Sequence, residues 1–542
     1  MRVPDAQTEA AVAAREAEPP FALALDVGTS SVRAAFYDAR AREVSGTQAR
    51  LARAFCTTAD GGSEADAEES VRAVFGLIDR TLARAPSEVS ARAARLAVSC
   101  FWHSLVGLSR EGRAVTPVYG WADTRAAAQA RALGREFDER EAHARTGCRF
   151  HPSYWPAKLL WLRDERPRPW RESARWVSFG ELLVERLCGA ARASVSMASG
   201  TGLFDQRALD WDAGLVSALG LRPEQLPRLA RRGETFPLDA ESAARWPALG
   251  GARVLPAVAD GAANNVGEGC LSRQRVALMV GTSGAMRVAY EGAPPARLDP
   301  ALWCYRVDER RPLVGGALSD GGGLHAWMRE TLALGPAADE AGGGGRGEEL
   351  EGAVAALAPD AHGLTVLPFW SGERSTGWHA EATGAIFGLR AHTRPAEIVR
   401  AAMEAVAYRF ARVAAALEGH AQGAEVRASG GALRASPAWT RILADALGRP
   451  VRPSRVREAS SRGAVLLALE ATGAIQNVSG LEAPAAEAVE PDPARHAVYR
   501  RGAERQQQLY DLLIGDREAA HLLVAPGDRH TATNEARCDE ER

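Results

Sequence analysis

Apolar runs in this chain are short, and several of them stop at a residue with chemistry to offer. The first, residues 21–25, is halted by Asp26. Val27, a Gly28-Thr29-Ser30 turn and a second largely apolar run to Tyr37 follow, which predicts strand, tight turn, strand. Residues 94–98 (ARLAV) read as a strand that leads into Ser99, Cys100, Phe101, Trp102, His103 and Ser104. Residues 252–259 (ARVLPAVA) read as another, and it ends on Asp260-Gly261. Further on, Asp320-Gly321-Gly322-Gly323 precedes the helical-looking LHAWMRETL. Ser429-Gly430-Gly431 joins the strand-like EVRA to a helix in SPAWTRILADALG that Gly448 ends. Thr393 and Pro395 open a clear amphipathic helix, with Ile398, Ala402, Val406, Phe410, Val413 and Leu417 on one face as core packing.

One segment occurs twice. Residues 24–37 read ALDVGTSSVRAAFY and residues 277–290 read ALMVGTSGAMRVAY, 253 positions later and with seven of fourteen residues identical. Two similar domains, each opening with the same hairpin, are the natural reading. A glycine lets backbone approach a ligand closely, and adjacent hydroxyls and N–H groups can surround phosphate oxygens. Two such turns could therefore grip one polyphosphate from both sides of a cleft. Ordinary hairpins kept from a duplication are the plainer alternative. Asp26 in the first copy becomes Met279 in the second. A carboxylate beside a phosphate turn repels it unless a divalent cation lies between, so Asp26 points to Mg²⁺.

Composition narrows the chemistry. With 542 residues, 46% apolar and 25% charged, the chain can build two or three soluble domains. A net charge of −2 offers no basic field for nucleic acid or a membrane surface. Of 66 basic residues, Lys158 is the one lysine, so a Walker A loop and the protein-kinase lysine are both excluded. The seven cysteines are scattered with no Cys-x-x-Cys pair, which argues against zinc or redox frameworks and fits a reducing cytoplasm. No apolar stretch approaches membrane-span length. Residues 1–19 and 515–542 are expected to be loose tails, and the glycines at 342–345 a flexible loop.

Aromatic, acidic and basic residues concentrate in 99–104, in Trp121-Ala122-Asp123-Thr124-Arg125, and in RTGCRFHPSYWPAK at 145–158. Sugar sites combine such groups, so these segments are expected to line a polyol pocket. His103 could instead be a buried structural histidine, and Asp123 or Asp260 a helix cap. An acid at a strand's C-terminal end followed by glycine is exposed where ligands bind in α/β folds, and Asp260 is the leading candidate for a base.

Together these residues resemble the FGGY carbohydrate kinases of the actin–hexokinase–chaperone superfamily, from about residue 21 to about residue 473. Gly384-Ala385-Ile386-Phe387-Gly388-Leu389, continued by Glu397-Ile398 and Ala401-Ala402-Met403-Glu404, matches the family's C-terminal signature. Lys158-Leu159-Leu160-Trp161-Leu162 resembles the earlier one, departing at Trp155. The resemblance implies an α/β chain of two ribonuclease H-like, actin/hexokinase-type domains, 20–267 and 268–514, with an interdomain active-site cleft. It implies Gly28, Thr29, Ser30, Ser31 and Arg33 as the first phosphate loop, Gly281 and Thr282 as the second, and Gly322, Gly430 and Gly431 as nucleoside contacts. No asparagine falls where an adenine contact often sits; Ala435 or Ser436 stands there. Trp102, His103, Asp123, Ser153 and Gly261 fall on sugar-contact positions, and Asp260 on the proton acceptor. Ser153 replaces a tyrosine of glycerol kinases, against glycerol. Gluconokinase-type members are the most similar branch, so the expected substrate is gluconate, a sugar acid, with ATP and Mg²⁺ as cofactors. Arg125, Arg149 and His151 are the cations available to its carboxylate. The alternatives are a xylulokinase-type enzyme, a non-catalytic ATP-binding relative of actin or chaperone type, and a sugar sensor. No nucleic-acid or membrane partner is expected; a homodimer is compatible with this reading.

Overall fold

The structure is a computed structural model and describes residues 11–190, 192–332 and 346–515. The glycine run at 342–345 and the far tails lie outside these residues. Order begins earlier than expected: within the supposed N-terminal tail, Ala11–Val12 pairs in parallel with Glu43–Val44, and a 3-10 turn spans Ala14–Glu16.

Two sheets carry the chain. In the first, β1 (Phe21–Val27) and β2 (Ser31–Tyr37) form the expected antiparallel hairpin, and β3 (Ala93–Cys100) lies parallel to β1 on its other side. Every residue of β1 is buried, as a strand covered on both faces requires. Helix α1 (Trp155–Glu165), with Pro156 in its first turn, belongs to a satellite layer packed around Trp155, Trp161 and Trp176. Strand β4 (Val258–Ala259) extends along the end of β3 and passes directly into helix α2 (Asp260–Gly267).

The second sheet repeats the plan. Strands β5 (Arg275–Val280) and β6 (Gly284–Ala289) form the hairpin. Strand β7 (Trp303–Arg306) is the edge, antiparallel to β8 (Pro312–Leu318), which pairs with β6. Helix α3 (Gly322–Thr331) follows β8, and α4 (Pro395–Leu417) carries the predicted apolar face. Beyond it, β9 (Glu425–Ser429) runs parallel to β5, α5 (Pro437–Leu447) ends at left-handed Gly448, and β10 (Val451–Pro453) closes the order β7-β8-β6-β5-β9-β10.

Helix α6 (Ala459–Ala471) leaves the second half and packs on α2 and on β1 and β3 of the first. Its contact with α2 is backbone to backbone. A Cβ on Gly463 would overlap the Ala263 carbonyl, and one on Gly267 would overlap that of Ala459. Strand β7 makes a second seam: Cys304 N–H donates to Gly147 O (2.9 Å), and Arg306 N–H to Ser199 Oγ (3.0 Å). Cys100, Cys148, Cys188, Cys270 and Cys304 are free thiols. Among the described residues no helix is long and apolar enough to cross a membrane.

Candidate active site

The two Gly-Thr-Ser turns differ by one residue. In the first, Gly28 N–H donates to Ser31 O (3.0 Å); in the second, Gly281 N–H donates to Ser283 O (3.0 Å). The second turn is then fastened by the glycine loop before α3. Gly321 and Gly323 N–H donate to Thr282 O (3.0 and 2.9 Å), and Gly322 N–H to Gly281 O (2.7 Å). Gly430 has φ +108°, and its backbone lies so close to Val280 that no side chain would fit. Gly281, Thr282, Gly322, Gly430 and Gly431 thus stand around one place, as the sequence reading grouped them. Beyond the first turn, Arg33 on β2 reaches Glu458 just ahead of α6 (3.3 Å).

Asp26 projects from β1. Its Oδ1 accepts Ser99 Oγ–H (2.9 Å) and its Oδ2 lies 3.4 Å from Arg33 Nη1. Burial pushes its carboxyl up, against the pull of Arg33. Asp260 opens α2, with Oδ1 accepting Gly261 N–H (2.7 Å). Burial, and then the charge of Asp26, push it up to about 6. These two buried carboxyls, the charge of Asp26 raising Asp260, make a hard oxygen donor set. That set fits a divalent cation arriving with phosphates.

Asp260 lines a cavity between the two sheets. Trp102, His103, Trp121 and Tyr154 come from the first half; Trp303, Tyr305, Arg287, Arg374 and Trp378 come from the second. Trp102 is fixed by Nε1–H to Ser196 O (2.9 Å). His103 stands at φ +67°, and its Nδ1–H donates to Gly200 O (2.6 Å), leaving Nε2 an acceptor; burial holds it neutral. Gly261 has no side chain because Arg287 and Trp102 fill the space a Cβ would take.

Asp123 and Ser153 are absent from the cavity wall and hold it from behind. Asp123 is paired with Arg125 and accepts Ser63 N–H (3.2 Å). Ser153 Oγ–H donates to Trp121 O (2.8 Å). Lys158, buried, donates to the carbonyls of Ser153 and His103, and burial brings its amine down to about 7.

The cations offered by the sequence are also elsewhere. Arg125 is held by Asp123 and Glu64, and Arg149 by Glu139. His151, whose Nδ1 accepts Ser153 N–H (3.2 Å), is brought by burial to about 3. In their place stand Arg287 and Arg374, which the sequence reading missed. Arg287 Nη2 donates to Asn264 Oδ1 (3.0 Å); Arg374 Nη2 donates to Leu318 O (3.0 Å), its guanidinium 4.4 Å over the Trp121 ring. Neither is in an ion pair with a described carboxylate, and the Nε of each is buried without a partner. Burial lowers both, Arg287 to about 10. The Arg374 loop is braced from below, where Glu373 pairs with Arg409 and accepts Tyr510 O–H (2.6 Å).

Asp360, His362 and Glu404 form a separate cluster of metal-ligand type. Arg400 and Arg505 already engage its carboxylates, and His362 Nε2–H donates to Glu404 (3.0 Å), so it is an ion-pair network within the second half.

The N-terminal-domain profile of the FGGY family of carbohydrate kinases matches residues 21–267, and the C-terminal-domain profile matches 276–472. A gluconokinase of Bacillus subtilis is 26% identical over 84% of this chain and 88% of its own length. A glycerol kinase of Aromatoleum aromaticum is 30% identical over 83% and 89%. Among solved structures, the gluconate kinase and the ligand-bound xylulose kinase of Lactobacillus acidophilus each superpose with a TM-score of 0.80 at 26% identity, covering 91% of this chain and 98% of theirs.

Proposed function

The chain belongs to the FGGY family of carbohydrate kinases, and on that footing we propose that it transfers the γ-phosphoryl group of ATP to a hydroxyl of a sugar acid, most specifically gluconate. The observation that carries this reading is Asp260 in the aromatic interdomain cavity with two guanidiniums that have no carboxylate partner. Burying unpaired cations is costly, and an anionic substrate offsets that cost. The gluconokinase relatives support the same substrate.

In this reading the substrate's carbon chain lies against Trp102, Trp121 and Tyr154, and the hydroxyl to be phosphorylated approaches Asp260. Oδ1 of Asp260 is committed to Gly261 N–H, so Oδ2 takes the proton. The Gly28–Ser31 and Gly281–Ser283 turns and the glycines at 322, 430 and 431 orient the nucleotide. Asp26 would hold Mg²⁺, which supplies neutralisation of phosphate charge when bound. The aromatic walls keep water, a competing acceptor, away from the phosphoryl group.

Asp260→Asn should keep ATP binding and lose gluconate-dependent ADP release by about 10²- to 10⁴-fold, the range of a general base. Near wild-type turnover would remove Asp260 from this role. A coupled ADP assay across gluconate, xylulose, ribulose, fuculose and glycerol ranks the substrates. Xylulose is the second reading, because the xylulose kinase superposes as well as the gluconate kinase.

A further inference from the structure

We propose that Arg374 and Arg287 divide two anions between them: Arg374 selects the carboxylate of the substrate, and Arg287 serves the phosphoryl group being transferred. The assignment rests on the sugar-acid reading above. A kinase acting on a sugar acid must admit two anions to one cavity, and this cavity presents two guanidiniums on different elements, neither in a close ion pair and each with a buried Nε that has no hydrogen-bond partner.

Their surroundings separate them. Arg287 is locked to the helix that carries the base. Asn264, one turn after Asp260 on α2, receives its Nη2–H, and the guanidinium occupies the space above Gly261. At that end of the cavity only the acceptor hydroxyl and the transferring group are close enough to use it. Arg374 enters from the segment between the short strands Thr365–Leu367 and Ala385–Phe387, on a different wall. It spans the two halves of the protein, anchored to Leu318 O on its own side and stacked on Trp121 of the other. A planar guanidinium lying on an aromatic face, with N–H groups still free, is suited to donating paired hydrogen bonds to a carboxylate. Trp121 is itself a wall for the carbon chain. Substrate would then extend from Asp260 at its reacting hydroxyl to Arg374 at its acid end.

The test compares kcat/KM for gluconate and for glucitol, which carries CH₂OH in place of the carboxylate, in wild type, Arg374→Met and Arg287→Met. In Arg374→Met the gluconate-to-glucitol ratio should fall between about 10-fold and 100-fold, the span of a charge-assisted hydrogen bond, chiefly through KM for gluconate. In Arg287→Met kcat should fall on both substrates and the ratio should hold. Because the ratio is internal to each variant, a loss of folded protein does not imitate the result. If Arg374→Met is too unstable to assay, Arg374→Lys keeps the charge, loses the fork, and should show a smaller fall. An unmoved ratio, or an equal loss of kcat on both substrates, overturns the assignment and makes Arg374 structural or a second phosphoryl ligand. Wild type that phosphorylates xylulose but no sugar acid overturns the substrate reading itself and this assignment with it.

Discussion

The two hairpins share seven residues of fourteen and present opposite electrostatics to the same cleft. On the first, Asp26 stands opposite Arg33 across the ladder and is held by it. On the second, the turn is one residue shorter, and the register slips accordingly: Met279 faces Ala285, and Arg287 faces Ala277. A slip of one residue exchanges the faces of a strand. Met286, which aligns with Arg33, therefore turns into the core beneath α4, while Arg287, which aligns with Ala34, reaches the cleft. One hairpin supplies a carboxylate paired with its own arginine, the other a cation with no close ion-pair partner among the described residues. A single residue of turn length can reassign the chemistry of a duplicated element without altering its fold.

The largest expected effect comes from undoing that assignment. Exchanging the neighbours in Met286→Arg/Arg287→Met should bury the guanidinium in the core and cost about 3–5 kcal/mol in urea unfolding. Arg287→Met alone should stay near wild type in that assay. Equal stability of the two variants would refute the assignment of faces.

Neutralising the first hairpin comes next. Asp26→Asn should lower kcat by about two orders of magnitude at saturating substrate and weaken the dependence on Mg²⁺. It also has a signature in pH. The base must be ionised, so kcat/KM of the wild type should fall below pH about 6, where Asp260 protonates. Asp26 contributes to raising that value, and its removal should shift the acid limb to lower pH. A limb that stays in place would sever the link between the two carboxylates.

The smallest effect contrasts the two kinds of buried cation. Lys158 donates to carbonyls behind the pocket, and its amine lies near 7, against an ordinary 10.5. Between those values the unfolded chain binds more protons than the native one, so stability should rise with pH across the window. Lys158→Met should remove about 2 kcal/mol of that rise between pH 7 and pH 9. An unchanged slope would assign the rise to other groups.

Much of the fold was legible because its punctuation is local. The strand-turn-strand repeat, the apolar face of α4 and the glycine loops at 321–323 and 430–431 each announce themselves within a dozen residues. Asp260 was legible for the same reason, as an acid at a strand end ahead of glycine. Asp123 and Ser153 have the right residue types, yet buried partners, Arg125 and the Trp121 carbonyl, claim their polar atoms. Spacing cannot reveal such prior commitments. Arg287 and Arg374 were invisible for a different reason. In a chain whose basic residues are arginine but for one, an arginine carries no contrast. The signal that could have exposed Arg287 was the paired alignment itself, where it replaces Ala34.

Helix α6 bears on how the chain can be made. Ala464, Val465, Leu466 and Leu469 complete the core beneath β1 and β3, although they follow those strands by more than 360 residues. A ribosome adding 5–20 residues per second would need roughly 20 to 75 s to reach them after β3 emerges. For that interval the first sheet lacks the part of its covering that α6 provides. The core of the early half is thus completed only once residues 459–471 have been translated.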